Sequence, residues 1–186
     1  MFISSYTKNV FGVDLFSTIF IAIWLMLPAY VANAFAVLTG GGKSIDFEKN
    51  FLDGRRIFGN GKTWNGLIGG IVIGIFTGSV QNVLLPSFVL FPLIVLFCLT
   101  FGALFGDLCK SFIKRRLGIE SGSKVLIVDQ LDFVLGAWLF LILFAHPWFL
   151  ENFTSYRVIV ILVITPFLHR ITNIIGYKLG KKDVPW

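Results

Sequence analysis

Apolar residues along this chain come in long, nearly unbroken runs, not in the alternation of a half-buried strand or the narrow stripe of a soluble amphipathic helix. A helix needs about 20 apolar residues to cross a bilayer. Five stretches meet that length and predict helices over 15–38, 65–85, 88–108, 126–145 and 156–175. Glycines interrupt two of them at helical spacing: Gly69, Gly70, Gly74 and Gly78 in the second, Gly102 and Gly106 in the third. A spacing of four puts small residues on one face, where a neighbouring backbone can come close. Pro28, Pro92 and Pro166 fall inside predicted spans and predict bends, tolerable where neighbouring helices satisfy the freed carbonyls. The expected fold is all-α: one transmembrane domain over 1–186, a bundle of about five helices with two basic loops.

Composition agrees, since 56% of the 186 residues are hydrophobic and the mean hydropathy is +0.83, beyond what a soluble domain carries. The first run ends in small residues, Ala32, Ala34 and Ala36, but it is too long for a signal peptide and follows no strongly basic leader, so a retained helix is expected. Cys98 and Cys109 have neither metal-ligand spacing nor a loop pairing that predicts a disulfide.

Charge orients the bundle. Lys43, Lys49, Arg55, Arg56 and Lys62 lie between the first two runs, and Lys110, Lys114, Arg115, Arg116 and Lys124 between the third and fourth. Lys178, Lys181 and Lys182 end the chain, whereas only Lys8 and Arg157 fall on the opposite side. Positively charged short loops stay in the cytoplasm. The expected topology is a multi-pass cell-membrane protein with the N-terminus outside, the two basic loops and the C-terminus inside, and outer hairpins near Pro86 and over 146–155. Topology and attraction to anionic lipid would account for such a face without chemistry.

Three acids go further. Asp107, Asp129 and Asp132 stand at the ends of apolar runs, where a carboxylate is costly unless paired, hydrated or bound to a cation. Asp107, Lys110, Ser111, Lys114 and Arg115 fall at i, i+3, i+4, i+7 and i+8, one continuous face if the third span continues as a helix beyond the bilayer. Asp129 and Asp132, at i and i+3, share a face at the same membrane depth. Converging carboxylates would repel one another, and Mg2+, a hard ion suited to carboxylate and phosphate oxygens, is the natural counter-ion. The alternative is structural: Asp107 pairs with Lys110 or Lys114, and the other two acids hydrate or cap a helix start.

The segment 53–66 carries glycines that free backbone amides to approach an anion, and Lys62, Thr63 and Asn65 add donors beside a helix N-terminus. It is not a Walker A loop, because Arg56 stands where that motif needs its first glycine. An ordinary loop with Trp64 at the membrane interface is the plain alternative. His146 and His169 lack partner spacing and are expected at the interface, outside any catalytic group.

In order, Lys62-Thr63-Trp64-Asn65-Gly66 with Gly69-Gly70, Gly106-Asp107-Leu108 with Ser111 and Lys114-Arg115, and Asp129 with Asp132 resemble the motifs of the CDP-diacylglycerol synthases, or phosphatidate cytidylyltransferases. The short length and the stretch from Asp53 to Gly59 look more like the archaeal branch, the CDP-archaeol synthases. The bacterial pattern has a longer segment before the last acids and an arginine where Gln130 stands. The resemblance implies Mg2+-dependent transfer of CMP from CTP to an ether-linked lipid phosphate. It implies Asp107, Asp129 and Asp132 as metal ligands, and Lys62, Lys110, Lys114 and Arg115 on phosphates. Thr63, Trp64, Asn65 and Gly66 are then expected around the nucleotide, with Ser111 on a phosphate or a metal-bound water. CTP, the lipid phosphate and membrane lipids are the expected partners, with no nucleic acid; the oligomeric state stays open. Two other readings of the acids are a CDP-alcohol phosphotransferase, of whose extended aspartate pattern Asp53-Gly54-Arg55-Arg56 reproduces a fragment, and an ion-coupled transporter with the acids as relays.

Overall fold

A computed structural model describes residues 14–119 and 128–180. The expectations placed on Lys8, Lys124, Lys181, Lys182 and the first two residues of the fourth span lie outside them, as does the side chain of Asp129. Among the described residues six helices follow one another: α1 (Leu15–Leu38), α2 (Trp64–Leu84), α3 (Leu93–Arg116), α4 (Val128–Phe144), α5 (His146–Asn152) and α6 (Ser155–Lys178). Four of them, α1, α2, α3 and α6, are long and apolar enough to cross a membrane, and α4 is a shorter apolar helix of 17 residues. Many large apolar side chains face outward, as befits a bundle whose solvent is lipid.

Glycine explains the two tightest seams. On α2 the buried glycines are 66, 70, 74 and 78, one turn apart. A methyl group on Gly66, Gly70 or Gly74 would come within 2.7–2.8 Å of the carbonyls of Ala36, Ala32 and Pro28, so α1 and α2 pack backbone against backbone. The same holds between α3 and α4, where Gly136 would bring a methyl within 2.7 Å of the Gly106 Cα and Gly102 one within 2.8 Å of the Gly136 carbonyl. Leu25, Met26, Leu96, Leu99, Val134 and Leu141 fill the space between these pairs and are fully buried. α6 packs on α1 and α4 and closes the bundle.

Pro28 lies inside α1 and interrupts its hydrogen-bond ladder. Without an N–H at 28 the Trp24 carbonyl has no helical donor. Gln81 on α2, almost fully buried, donates its Nε2 to that oxygen at 2.9 Å. Pro166 also lies inside a helix, but Pro92 does not: it is the N-cap of α3, which begins five residues later than the hydropathy run suggests and continues to Arg116. The reason is that the run from Phe88 to Phe91 serves as the connection, where Asn82 grips Phe91 through both its carbonyl and its N–H, at 2.9 and 2.8 Å. The expected outer hairpin over 146–155 holds the short helix α5, with Pro147 in its first turn where a missing N–H costs nothing. Cys98 and Cys109 are both free.

Candidate active site

The loop joining α1 to α2 folds into an irregular antiparallel turn. Ile45 N–H donates to the Lys62 carbonyl at 2.8 Å and Trp64 N–H to the Lys43 carbonyl at 3.1 Å, so the two ends of the loop are tied beside each other. Its centre is a buried carboxylate. Asp46 accepts from the Arg56 guanidinium at 2.6 Å and from the N–H groups of Phe58 and Gly59 at 3.0 Å and Glu48 at 3.2 Å. Burial pushes this carboxyl upward, but the hydrogen bonds from Arg56 and the three amides outweigh it and hold the group down at about 2. Gly59 can present its N–H because it adopts φ 96°, open to glycine and strained for other residues.

A second set of contacts fastens the loop onto the end of α3. Arg116 lies over the rings of Phe51 and Phe112, 4.8 and 4.9 Å from their centroids, and its guanidinium binds Asp53 at 2.7 Å and the Arg56 carbonyl at 2.6 Å. Arg55 reciprocates, donating to the Arg116 carbonyl at 2.9 Å and so occupying one of the open carbonyls at the helix end.

So held, the loop delivers Lys62 to Asp107, and the two form a close ion pair. Lys110, one turn further along α3, reaches back to Asp107 Oδ1 at 3.0 Å and across to Asp132 Oδ2 on α4 at 2.8 Å. Of the three acids expected to converge, Asp107 and Asp132 lie on either side of one lysine ammonium, and the side chain of Asp129 lies outside the described residues. Asp107 pairing with Lys110 was the structural alternative, and that pair is present. Asp132 is nearly buried, and its Oδ1 has no hydrogen-bond partner of ordinary geometry among the described residues.

Around this cluster opens a cavity of about 950 Å3, bounded by the loop-side ends of α1, α2, α3 and α6. Because α3 is one continuous helix through Arg116, Asp107, Lys110, Ser111, Lys114 and Arg115 all line it, as their spacing required. Ser111 is buried and donates to the Asp107 carbonyl at 3.0 Å. Arg115 Nε is buried with no partner among the described residues. Of the expected nucleotide contacts, Thr63 and Gly66 line the cavity with Lys62, the Thr63 hydroxyl capping α2 by accepting from Gly66 N–H at 3.2 Å. Trp64 and Asn65 lie outside the lining and are exposed, because the first residues of α2 turn those positions away from α3.

Sequence reasoning missed Asp46, Arg56 and Arg116 as the framework that fixes Lys62, since their partners lie on distant segments and leave no local spacing. It also placed His169 at the interface; His169 lines the cavity, its ring stacked on Phe133 at 6.0 Å and its Nδ1 3.3 Å from the Asn173 amide. The i, i+4 pairing of His169 with Asn173 in an apolar helix was the available signal.

Comparison with known proteins places this arrangement. A family model described as CarS-like, CDP-archaeol synthase, matches residues 15–186. CDP-archaeol synthase of Methanospirillum hungatei is 53% identical over 166 residues, covering 87% of this chain and 100% of its own. That of Methanosarcina acetivorans is 47% identical over 175 residues, with coverage of 87% and 100%. A solved structure of an intramembrane enzyme for archaeal membrane lipid biosynthesis superposes with a TM-score of 0.70 at 36% identity, covering 82% of this chain and 92% of that one. With a helical intramembrane fold and relatives matched from end to end, this chain belongs to the CDP-archaeol synthase family.

Proposed function

We propose that the protein transfers CMP from CTP to a membrane lipid phosphate, 2,3-bis-O-geranylgeranyl-sn-glycerol 1-phosphate, giving CDP-archaeol and pyrophosphate in a Mg2+-dependent reaction. The observation that carries this reading is the cavity itself: Lys62, Lys110, Lys114 and the partly unsatisfied Arg115 gather beside two carboxylates at the bundle end. A site for two polyanionic substrates needs such cations, and acids beside them are unneeded for phosphate binding alone.

The donor set suits a hard divalent cation. Asp107 and Asp132 supply carboxylate oxygens within reach of one point, now taken by the Lys110 ammonium, and the buried Asp132 Oδ1 is left over. These two residues would hold the ion, together with Asp129 as the resemblance implies. Bound there, Mg2+ supplies charge neutralisation to phosphate oxygens.

The chemistry needs no protein nucleophile, because the lipid phosphate is already anionic. One of its oxygens forms the new bond to the α-phosphorus of CTP. The bond from that phosphorus to the α–β bridging oxygen breaks, and its electron pair departs with pyrophosphate. Lys62, Lys110, Lys114 and Arg115 orient the triphosphate and offset charge on the leaving group, Lys110 giving up its place between Asp107 and Asp132 to the ion. Thr63 and Gly66 form the wall nearest the nucleotide. The basic loops and the C-terminus face the cytoplasm, where CTP is found, with the N-terminus outside.

The test is pyrophosphate release by purified protein given CTP, Mg2+ and a panel of ether-linked and diacyl lipid phosphates, with an EDTA control. Metal-dependent release preferring the ether lipid is the expected result. A folded protein releasing none with any lipid would overturn the proposal.

A further inference from the structure

The cavity has a second pole that the transfer reaction leaves without a task. Besides the lysines, α1 contributes Asn33 to the lining and α6 contributes His169 and Asn173. Polar side chains inside a membrane bundle are costly and are retained where they meet a polar partner or ligand. Asn173 is buried and bonds His169, and Phe133, the residue after Asp132, stacks on the imidazole, so the ring is held from two sides.

The depth of this pole can be read from the packing. α2 starts at the loop side, and its Gly66 lies against the Ala36 carbonyl while Gly70 lies against the Ala32 carbonyl and the Leu104 side chain. Ala32 and Leu104 are therefore one turn, about 5 Å, deeper than Ala36. Asp107 stands three residues closer to the loop side than Leu104, whereas Asn33 adjoins Ala32. α6 runs parallel to α1, in a register fixed by the 2.8 Å hydrogen bond between Tyr30 and Thr165. His169 is four residues beyond Thr165 and Asn33 three beyond Tyr30, so the two are level with each other and deeper than Asp107.

From the loop side inward, the order is cations and carboxylates, then an imidazole and an amide, then apolar bundle. A phospholipid has the same order: phosphate, glycerol oxygens, hydrocarbon. A nucleoside would demand the reverse, its polar base and ribose lying toward water. We infer that His169 and Asn33 form the subsite for the glycerol segment of the lipid phosphate, donating hydrogen bonds to its ether oxygens, with Asn173 as the positioning residue that fixes the His169 ring. The inference rests on the cytidylyltransferase reading and adds to it which residues tell a glycerol lipid from a simple alcohol phosphate.

The experiment compares two phosphates carrying the same chain, the bis-geranylgeranyl glycerol phosphate and geranylgeranyl phosphate, in mixed micelles with full-length protein. Wild type is expected to show the lower KM for the glycerol lipid. H169L and N33L are each expected to raise that KM fivefold to tenfold, with KM for CTP and KM for geranylgeranyl phosphate within twofold of wild type, and H169Q to recover part of the loss. Equal losses on both lipids, or a change in KM for CTP, would overturn the inference while leaving the transfer reaction standing. A wild type inactive on both lipids would overturn the two together. The two positions lie on different helices, so failure of one variant to fold leaves the other to decide.

Discussion

The backbone of Gly106 on α3 rests directly on the Asp132 carbonyl of α4, with no room for a methyl group between them. A packing residue thus adjoins two acids of the site: it precedes Asp107 in sequence and touches Asp132 in space.

Gly106→Ala should force the two helices apart and draw Asp132 away from Lys110. The expected outcome is a destabilisation of about 1–3 kcal/mol from overpacking, with turnover falling at least tenfold. Gly61→Ala, at a position with nothing within 4 Å of the added methyl, should leave the melting temperature unchanged. Melting temperature in detergent and pyrophosphate release measured on the same preparations decide it.

Asp107→Asn and Asp132→Asn should each abolish turnover in protein that still folds and extracts. Full activity in either would remove the carboxylates from the proposed chemistry. Lys62→Met, which frees Asp107 from one partner and removes a cation from the cavity, should cost about 100-fold in turnover, the usual order for losing one charge-stabilising donor.

Gln81→Leu tests the repair of the gap that Pro28 leaves in the α1 ladder. The Trp24 carbonyl would be left without a donor in a region that excludes water. A loss of about 1 kcal/mol is expected, within the range for such bonds in membranes. Turnover of the remaining folded protein should match wild type, because the pair lies far from the cavity.

Asp46 sets an acid limit on the loop. Its carboxyl is held at about 2 in the folded loop against an ordinary value of 3.8, so the unfolded loop takes up its proton first. The stabilisation is complete above about 4 and is lost as pH falls toward 2. Amides of Phe58 and Gly59 should therefore stay protected from hydrogen exchange at pH 5 and open toward pH 2, after correction for intrinsic rates. Asp46→Asn should expose them at neutral pH.

Much of this architecture was legible in the residues. α1 starts and ends where its apolar run does, because Asp14 caps one end and Gly40 to Gly42 follow the other. The α3 face from Asp107 to Arg115 followed from spacing alone, since helical geometry fixes it once the helix continues. Pro92 was misplaced because hydropathy cannot tell an apolar connection from the first turn of a helix. Gly136 went unnoticed, as a single glycine has no stripe to announce it; its importance comes from facing Gly102 and Gly106 on another segment. The loop framework was hidden for a similar reason: Asp46 and Arg56 are ten residues apart, and Arg116 is sixty from the carbonyl it binds. His169 was read as interfacial because its setting depends on the register between α1 and α6, which no single segment encodes.

The glycine seams have a mechanical meaning. Where helices meet through side chains, rotamer changes can absorb a shift; where they meet backbone to backbone, nothing yields. α1 with α2, and α3 with α4, therefore behave as two stiff plates that clamp the acid and lysine cluster at their junction. α6 is tied to α1 by a hydrogen bond between two side chains, Tyr30 and Thr165, so its place beside the charged corner rests on side-chain contact as well as on packing.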